Sequence, residues 1–181
     1  SFCENLVFIL AQIFDTVSAY KKSLSEKAYN TFLLDRLFSK LTTILFGNII
    51  GIIPEFFSDN VVEQGNITLH KVKSMAERKE MMALMADVFI ALPGGIGTLD
   101  EVTEIMSMNQ LGLIAKPIGL LNIDGFFKPF LKQMEIMQAE GLIHEVHSKM
   151  LIQSDSPKEL LEMLKIIELP NQDEWLKVIK K

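Results

Sequence analysis

Asp87-Val88-Phe89-Ile90-Ala91-Leu92-Pro93-Gly94-Gly95-Ile96-Gly97-Thr98-Leu99-Asp100-Glu101 is the stretch from which the fold is read. Residues 87–92 form a short apolar run, which predicts a strand buried on both faces. A proline–glycine loop follows, and the chain from about Leu99 to Leu111 has helical character. Strand, glycine loop and helix in that order form the unit that receives phosphate in α/β proteins. The first turn of a helix exposes unpaired N–H groups and a partial positive charge. Glycines at 94, 95 and 97 let the backbone approach an anion and adopt positive φ where needed, and Thr98 can cap the helix and add a hydroxyl donor. Taken alone, Pro-Gly-Gly also suits a plain tight turn. The loop is neither a Walker A sequence nor the usual dinucleotide fingerprint.

Working outward, the same alternation recurs. On the N-terminal side, 33–46 has helical spacing, 48–54 reads as a strand closed by Pro54, 58–66 as a loop and 69–72 as a short strand. Ser74 with Glu77 three residues on is a capping-box signature for a helix over 75–86. On the C-terminal side, 117–121 reads as a strand, Asp124-Gly125 as a turn, 128–140 as a helix ending at Gly141 and 151–152 as a strand. Ser156-Pro157 opens a helix through Leu164, and the tail from Leu169 is peripheral. The expected architecture is one α/β domain over residues 1–181, a Rossmann-like, doubly wound parallel sheet in three layers.

Composition bounds the function. The 181 residues are 49% hydrophobic with a net charge of −5, which suits a globular core and argues against a nucleic-acid surface. The longest apolar run, Ile44 to Pro54, is broken by Gly47, Asn48 and Gly51. It is too short for a bilayer, so no membrane partner is expected. No secretory signal is visible. The single cysteine, Cys3, cannot form an internal disulfide and points to a cytoplasmic setting; it reads as a small buried hydrophobe rather than a reactive thiol.

Several side chains invite chemistry, and each has a plainer reading. Glu101, four positions after Gly97 in the first helical turn, can stabilise positive charge or take a proton from water. It can equally join Asp100 in complementing the helix dipole. Arg78 can grip phosphate or ribose hydroxyls in bidentate fashion, or form a solvated pair with the flanking Glu77 and Glu80. Met75, Met81, Met82 and Met85 follow helical spacing and read as core. His144 and His147, three apart, lack a third metal ligand and read as surface histidines; His70 reads as structural. No metal site is expected.

Ser74-Met75-x-x-Arg78-Lys79-x-x-Met82 followed by Pro93-Gly94-Gly95-x-Gly97-Thr98-x-x-Glu101 closely resembles the Lonely Guy family of cytokinin riboside 5′-monophosphate phosphoribohydrolases, often labelled lysine decarboxylases. Gly47 to Phe56, Asn109-Gln110-Leu111-Gly112-Leu113, Lys116 to Asn122 and Asp124-Gly125-Phe126-Phe127 extend the likeness over roughly 33–165. The resemblance implies a Rossmann-like homodimer that cleaves the N-glycosidic bond of an adenine-type nucleoside 5′-monophosphate, giving free base and ribose 5-phosphate without metal or organic cofactor. It implies Arg78 and Glu101 as the catalytic pair. Met75, Lys79, Gly94, Gly95, Ile96, Gly97, Thr98 and Asp100 would line the substrate site.

The first third departs from the family. Residues 1–32 contain no glycine, where members carry Cys-Gly-Ser and Tyr-Gly-Gly-Gly stretches. Phe32-Leu33-Leu34-Asp35 stands where Gly-Leu-Met-Gly is expected, and Asn60 stands where an acid is usual. Bulky side chains cannot replace glycines at a backbone–ligand contact, and Asp35 beside a phosphate would repel it. Reduced or absent hydrolase activity is the expectation.

Overall fold

The computed structural model describes residues 6–8, 49–56 and 67–168. The expectations for Cys3, Asp35, Asn60, the 33–46 helix, the 58–66 loop and the tail from 169 lie outside these residues. Among the described residues the strands are β1 (Leu6–Phe8), β2 (Ile49–Pro54), β3 (Ile67–Val72), β4 (Val88–Ala91), β5 (Ile118–Leu121) and β6 (Leu151–Ser154). The helices are α1 (Met75–Met85), α2 (Ile96–Gln110), α3 (Lys128–Ala139), α4 (Glu145–Ser148) and α5 (Pro157–Ile166), with a 3₁₀ turn at Ile123–Gly125. No helix among them is long and apolar enough to cross a membrane.

The chain divides into two compact units, one of residues 1–9 with 83–181 and one of residues 10–82. The first holds a four-stranded sheet in the order β1-β4-β5-β6, every pair parallel, with Phe89 opposite Ile118 and Ile118 opposite Leu151. The second holds β2 and β3, parallel, with Ile49 opposite Ile67. Parallel strands joined through helices are the mixed α/β, Rossmann-like arrangement expected from the alternating pattern.

The four residues of β4 and the four of β5 are all buried, as continuous apolar runs demand of central parallel strands. Strand β6 is partly exposed. Gly119 in β5 marks where α5 comes nearest: a Cβ there would stand 2.9 Å from Leu164 Cδ1 and 3.2 Å from Leu160 Cδ1. Both leucines are buried on α5, so the missing side chain sets how close helix and sheet approach.

Capping residues fix the helix ends. Ser74 Oγ accepts from the Glu77 N–H at 3.1 Å, while Glu77 Oε2 accepts from the Lys73 N–H at 2.7 Å. This is the expected box with its return bond moved one residue upstream. Gly141, at φ 73°, closes α3 as a Schellman motif: Leu142 N–H donates to Met137 C=O at 2.8 Å and Gly141 N–H to Gln138 C=O at 3.0 Å. Ser156 caps α5, accepting from Glu159 N–H, with Pro157 in its first turn. Asp124, at φ 52°, shares the left-handed turn with Gly125.

Two local expectations are corrected. Helix α2 begins at Ile96 rather than Leu99, and its N-cap is Gly95 at φ −87°. The left-handed glycines are Gly112, Gly125 and Gly141, so Gly94, Gly95 and Gly97 do not serve by positive φ.

Candidate active site

The glycine loop leaves the carboxyl end of β4 and turns directly into α2, the edge of an open α/β sheet where ligands bind. Gly94 is required by packing: a Cβ there would collide with Thr98 Oγ1. Thr98 is buried and the helix has no side-chain cap bond, so its hydroxyl fills the hollow over Gly94 instead of capping. Gly95 is different. Nothing lies within 4 Å of where its Cβ would be, and the residue is exposed, which leaves this stretch of main chain open to a ligand. Ile96 is 82% exposed, Gly97 half-buried and Asp100 exposed.

Glu101 is the sixth residue of α2, in its second turn, and only 3% exposed. A helix-dipole role belongs to solvated acids in the first turn, so that reading does not describe Glu101. Asp100, one residue earlier and exposed, also lies beyond the first turn. A buried carboxylate behind an open backbone loop is suited to acting on a bound molecule.

In the other unit, Met75, Arg78 and Lys79 lie within the first five residues of α1. Arg78 is 2% exposed, which overturns its reading as a solvated partner of Glu77 and Glu80. Its Nε donates to the Ile52 carbonyl of β2 at 3.2 Å, and Nη1 lies 3.9 Å from Met75 Sδ. Met75 thereby packs on the guanidinium rather than in the apolar core, whereas Met82 is buried. Lys79 is half-buried.

Other residues have structural parts to play that their sequence context gave little sign of. Asn122 is buried at the end of β5; its Oδ1 accepts from Phe127 N–H at 2.7 Å and its Nδ2 donates to Gln153 Oε1 at 2.7 Å. Asn109 is buried on α2 and exchanges two bonds with the Lys116 main chain, 2.8 Å and 3.0 Å. The Asn-x-Asp-Gly and Lys-Pro sequences around these residues are the only signals for them. Lys116 itself is half-buried, and burial lowers its ammonium pKa against the opposing pull of Asp87.

The histidine reading is corrected in part. His144 caps α4, its Nδ1 accepting from Val146 N–H at 3.3 Å. His147 is buried, and its pKa is lowered by burial and then by nearby His144. Among the described residues no group of three or more His, Cys, Asp or Glu is placed to hold a metal ion.

An open polar cavity of about 540 Å³ lies at the carboxyl ends of β5 and β6, bordered by Asn122, Asp124, Lys128, Gln153, Asp155 and Glu159 among others. None of the expected site residues lines it. Along it Asn122, Gln153, Ser154 and Glu159 are engaged in hydrogen bonds with one another or with neighbouring main chain.

Known proteins share this arrangement in sequence. The family model described as "Possible lysine decarboxylase" matches residues 39–164. A relative named cytokinin riboside 5′-monophosphate phosphoribohydrolase, from Oryza sativa subsp. japonica, is 42% identical over 115 residues, 63% of this chain and 48% of its own. A probable enzyme of the same name from that organism is 38% identical over 118 residues, 65% of this chain and 48% of its own. One from Arabidopsis thaliana is 37% identical over 128 residues, 70% of this chain and 58% of its own. The chain spans about half the length of the curated relatives it matches. With its family model matched over most of its length and the relatives named above of one kind, the chain belongs to the Lonely Guy family.

Proposed function

We propose that this chain hydrolyses the N-glycosidic bond of a nucleoside 5′-monophosphate, of the adenosine or cytokinin riboside type, to free base and ribose 5-phosphate. The observation that carries the reading is Glu101, a carboxylate 3% exposed on the helix that follows a loop with open backbone at Gly95. Cleavage of the bond between C1′ and the base nitrogen builds positive charge on the ribose. Glu101 stabilises that charge and accepts a proton from the attacking water, whose oxygen forms the new bond to C1′ while the base departs and is protonated. Main-chain N–H groups at Gly95 to Gly97 anchor the phosphate, Thr98 shapes their loop, and Arg78 with Lys79 holds the ribose phosphate. Ile96, Asp100 and Met75 border the substrate. Binding energy from the phosphate then serves the reaction at C1′. No metal or organic cofactor takes part. The working form in this proposal is a cytoplasmic homodimer.

A panel of nucleoside monophosphates and the matching nucleosides, assayed for free base, tests it. Release from monophosphates alone supports the reading; equal release from nucleosides removes the phosphate anchor from it.

The glycine-free first 32 residues favour a second reading, a nucleotide-binding protein with reduced or absent turnover. Thermal stabilisation by nucleotide without base release would select it.

A further inference from the structure

Helix α2 carries a second carboxylate with a buried oxygen, one turn beyond Glu101. Thr98, Glu101 and Glu104 follow one another at three-residue intervals. They are therefore side-chain neighbours along one strip of the helix, each about 4.5 Å further from the glycine loop than the last. Thr98 and Glu101 are buried, and Glu104 is half-buried. Both carboxylate oxygens of Glu101 and Oε2 of Glu104 are closed off from solvent. The solvated side of the helix lies elsewhere, at Asp100, Thr103, Ser107 and Gln110, and Val102 and Ile105 bury its apolar side. Taking two carboxylates out of water one turn apart costs stability, and a cost of that kind is characteristic of functional sites.

We propose that Glu104 is a second catalytic carboxylate, which holds the attacking water together with Glu101. The role rests on the reading of Glu101 as the carboxylate of the N-glycosidic hydrolysis. In that reading Glu101 both faces the positive ribose and takes a proton from water, two tasks that glycoside hydrolysis commonly divides between two carboxyl groups. Neighbours three apart on a helix have Cβ atoms about 5–6 Å apart, a span that one water molecule bridges with a hydrogen bond to each carboxylate. One water proton passes to Glu101. The other, donated to Glu104, stays on the oxygen and becomes the proton of the new C1′ hydroxyl. The C1′–N bond breaks with its electron pair going to the base, which takes up a proton, and Glu101 returns its own to solvent. Both carboxylates lie on one helix, so α2 alone sets their spacing.

The test compares wild type with Glu104→Ala and Glu104→Gln by base release from adenosine 5′-monophosphate, with and without sodium formate, and by thermal stabilisation with the same nucleotide. Glu104→Ala is expected to lower kcat by about a hundredfold with a much smaller change in KM. Formate, a carboxylate small enough for the space left by the side chain, should restore part of that kcat and add nothing to wild type. Glu104→Gln keeps the shape and one acceptor oxygen without the charge, and is expected to lose about tenfold. Turnover equal to wild type in either variant overturns the role. So does a loss in Glu104→Ala that formate does not restore, the mark of a side chain that only supports the fold. If Glu104→Ala does not fold, Glu104→Gln decides: a lower kcat with nucleotide stabilisation kept upholds the role, and loss of both overturns it. A wild type that releases no base overturns the proposed reaction and this role with it, whereas an active wild type indifferent to position 104 overturns this role alone.

Discussion

The hydroxyl of Thr98 occupies the space that a side chain at Gly94 would need. The two residues share the junction of β4 and α2, and their fit explains why one glycine of the loop is indispensable to the fold while its neighbour is not. At Gly95 the equivalent space is open, so packing gives no reason for glycine there; its place as helix N-cap favours one, and the proposed function adds ligand approach as a second reason.

Gly94→Ala should therefore destabilise the protein by about 1–3 kcal/mol, the usual cost of overpacking. Gly95→Ala should lose no more than the roughly 0.5–1 kcal/mol of a poorer helix N-cap and bind nucleotide more weakly. Denaturant melts with and without adenosine 5′-monophosphate separate the two; a Gly95→Ala protein with full affinity would deny the loop its role.

Arg78→Met should remove both ligand grip and the donor to the Ile52 carbonyl. A buried acceptor left without its partner costs about 1–3 kcal/mol. The expected outcome is a lower denaturation midpoint as well as lost base release. Unchanged stability would contradict the burial of Arg78 as an anchored group.

His147 makes stability depend on acid. Its folded pKa lies below the ordinary 6.5, so below that value the unfolded chain binds the proton more readily than the folded one. Stability should fall as pH drops from 6.5 toward the folded pKa, level off beneath it, and show no contribution from His147 above 6.5. Urea melts from pH 7.5 to 5 check this, with His147→Gln expected to flatten the acid slope and an unaltered slope counting against it.

Much of the fold was legible because local rules and tertiary structure agree. The apolar runs of β4 and β5 mark central parallel strands, Ser74 with Glu77 marks the start of α1, and Gly141 marks the end of α3. The start of α2 was misread because glycines have poor helix propensity, which concealed that Ile96 and Gly97 are already helical. Arg78 looked solvated because acids flank it in sequence, yet helical geometry turns Glu77 and Glu80 to the exposed side and Arg78 inward. His147 was hidden likewise, its burial set by packing rather than by neighbours in the chain. Lys116 and Asn109 could not be found by pattern, since their partners are backbone groups, 33 residues away for the Lys116 ammonium and seven for Asn109. The site motifs were legible through the family resemblance; from residues alone, Glu101 was indistinguishable from an ordinary helix-dipole acid.

The central claim is that Glu101 acts on a nucleotide held at the glycine loop. Base release from adenosine 5′-monophosphate by wild type and Glu101→Gln tests it most directly. The account predicts measurable release by the wild type, slower than that of a relative with the usual glycines in its first third, and a loss of at least about a hundredfold in Glu101→Gln with nucleotide binding retained. Equal release by the two proteins would contradict it.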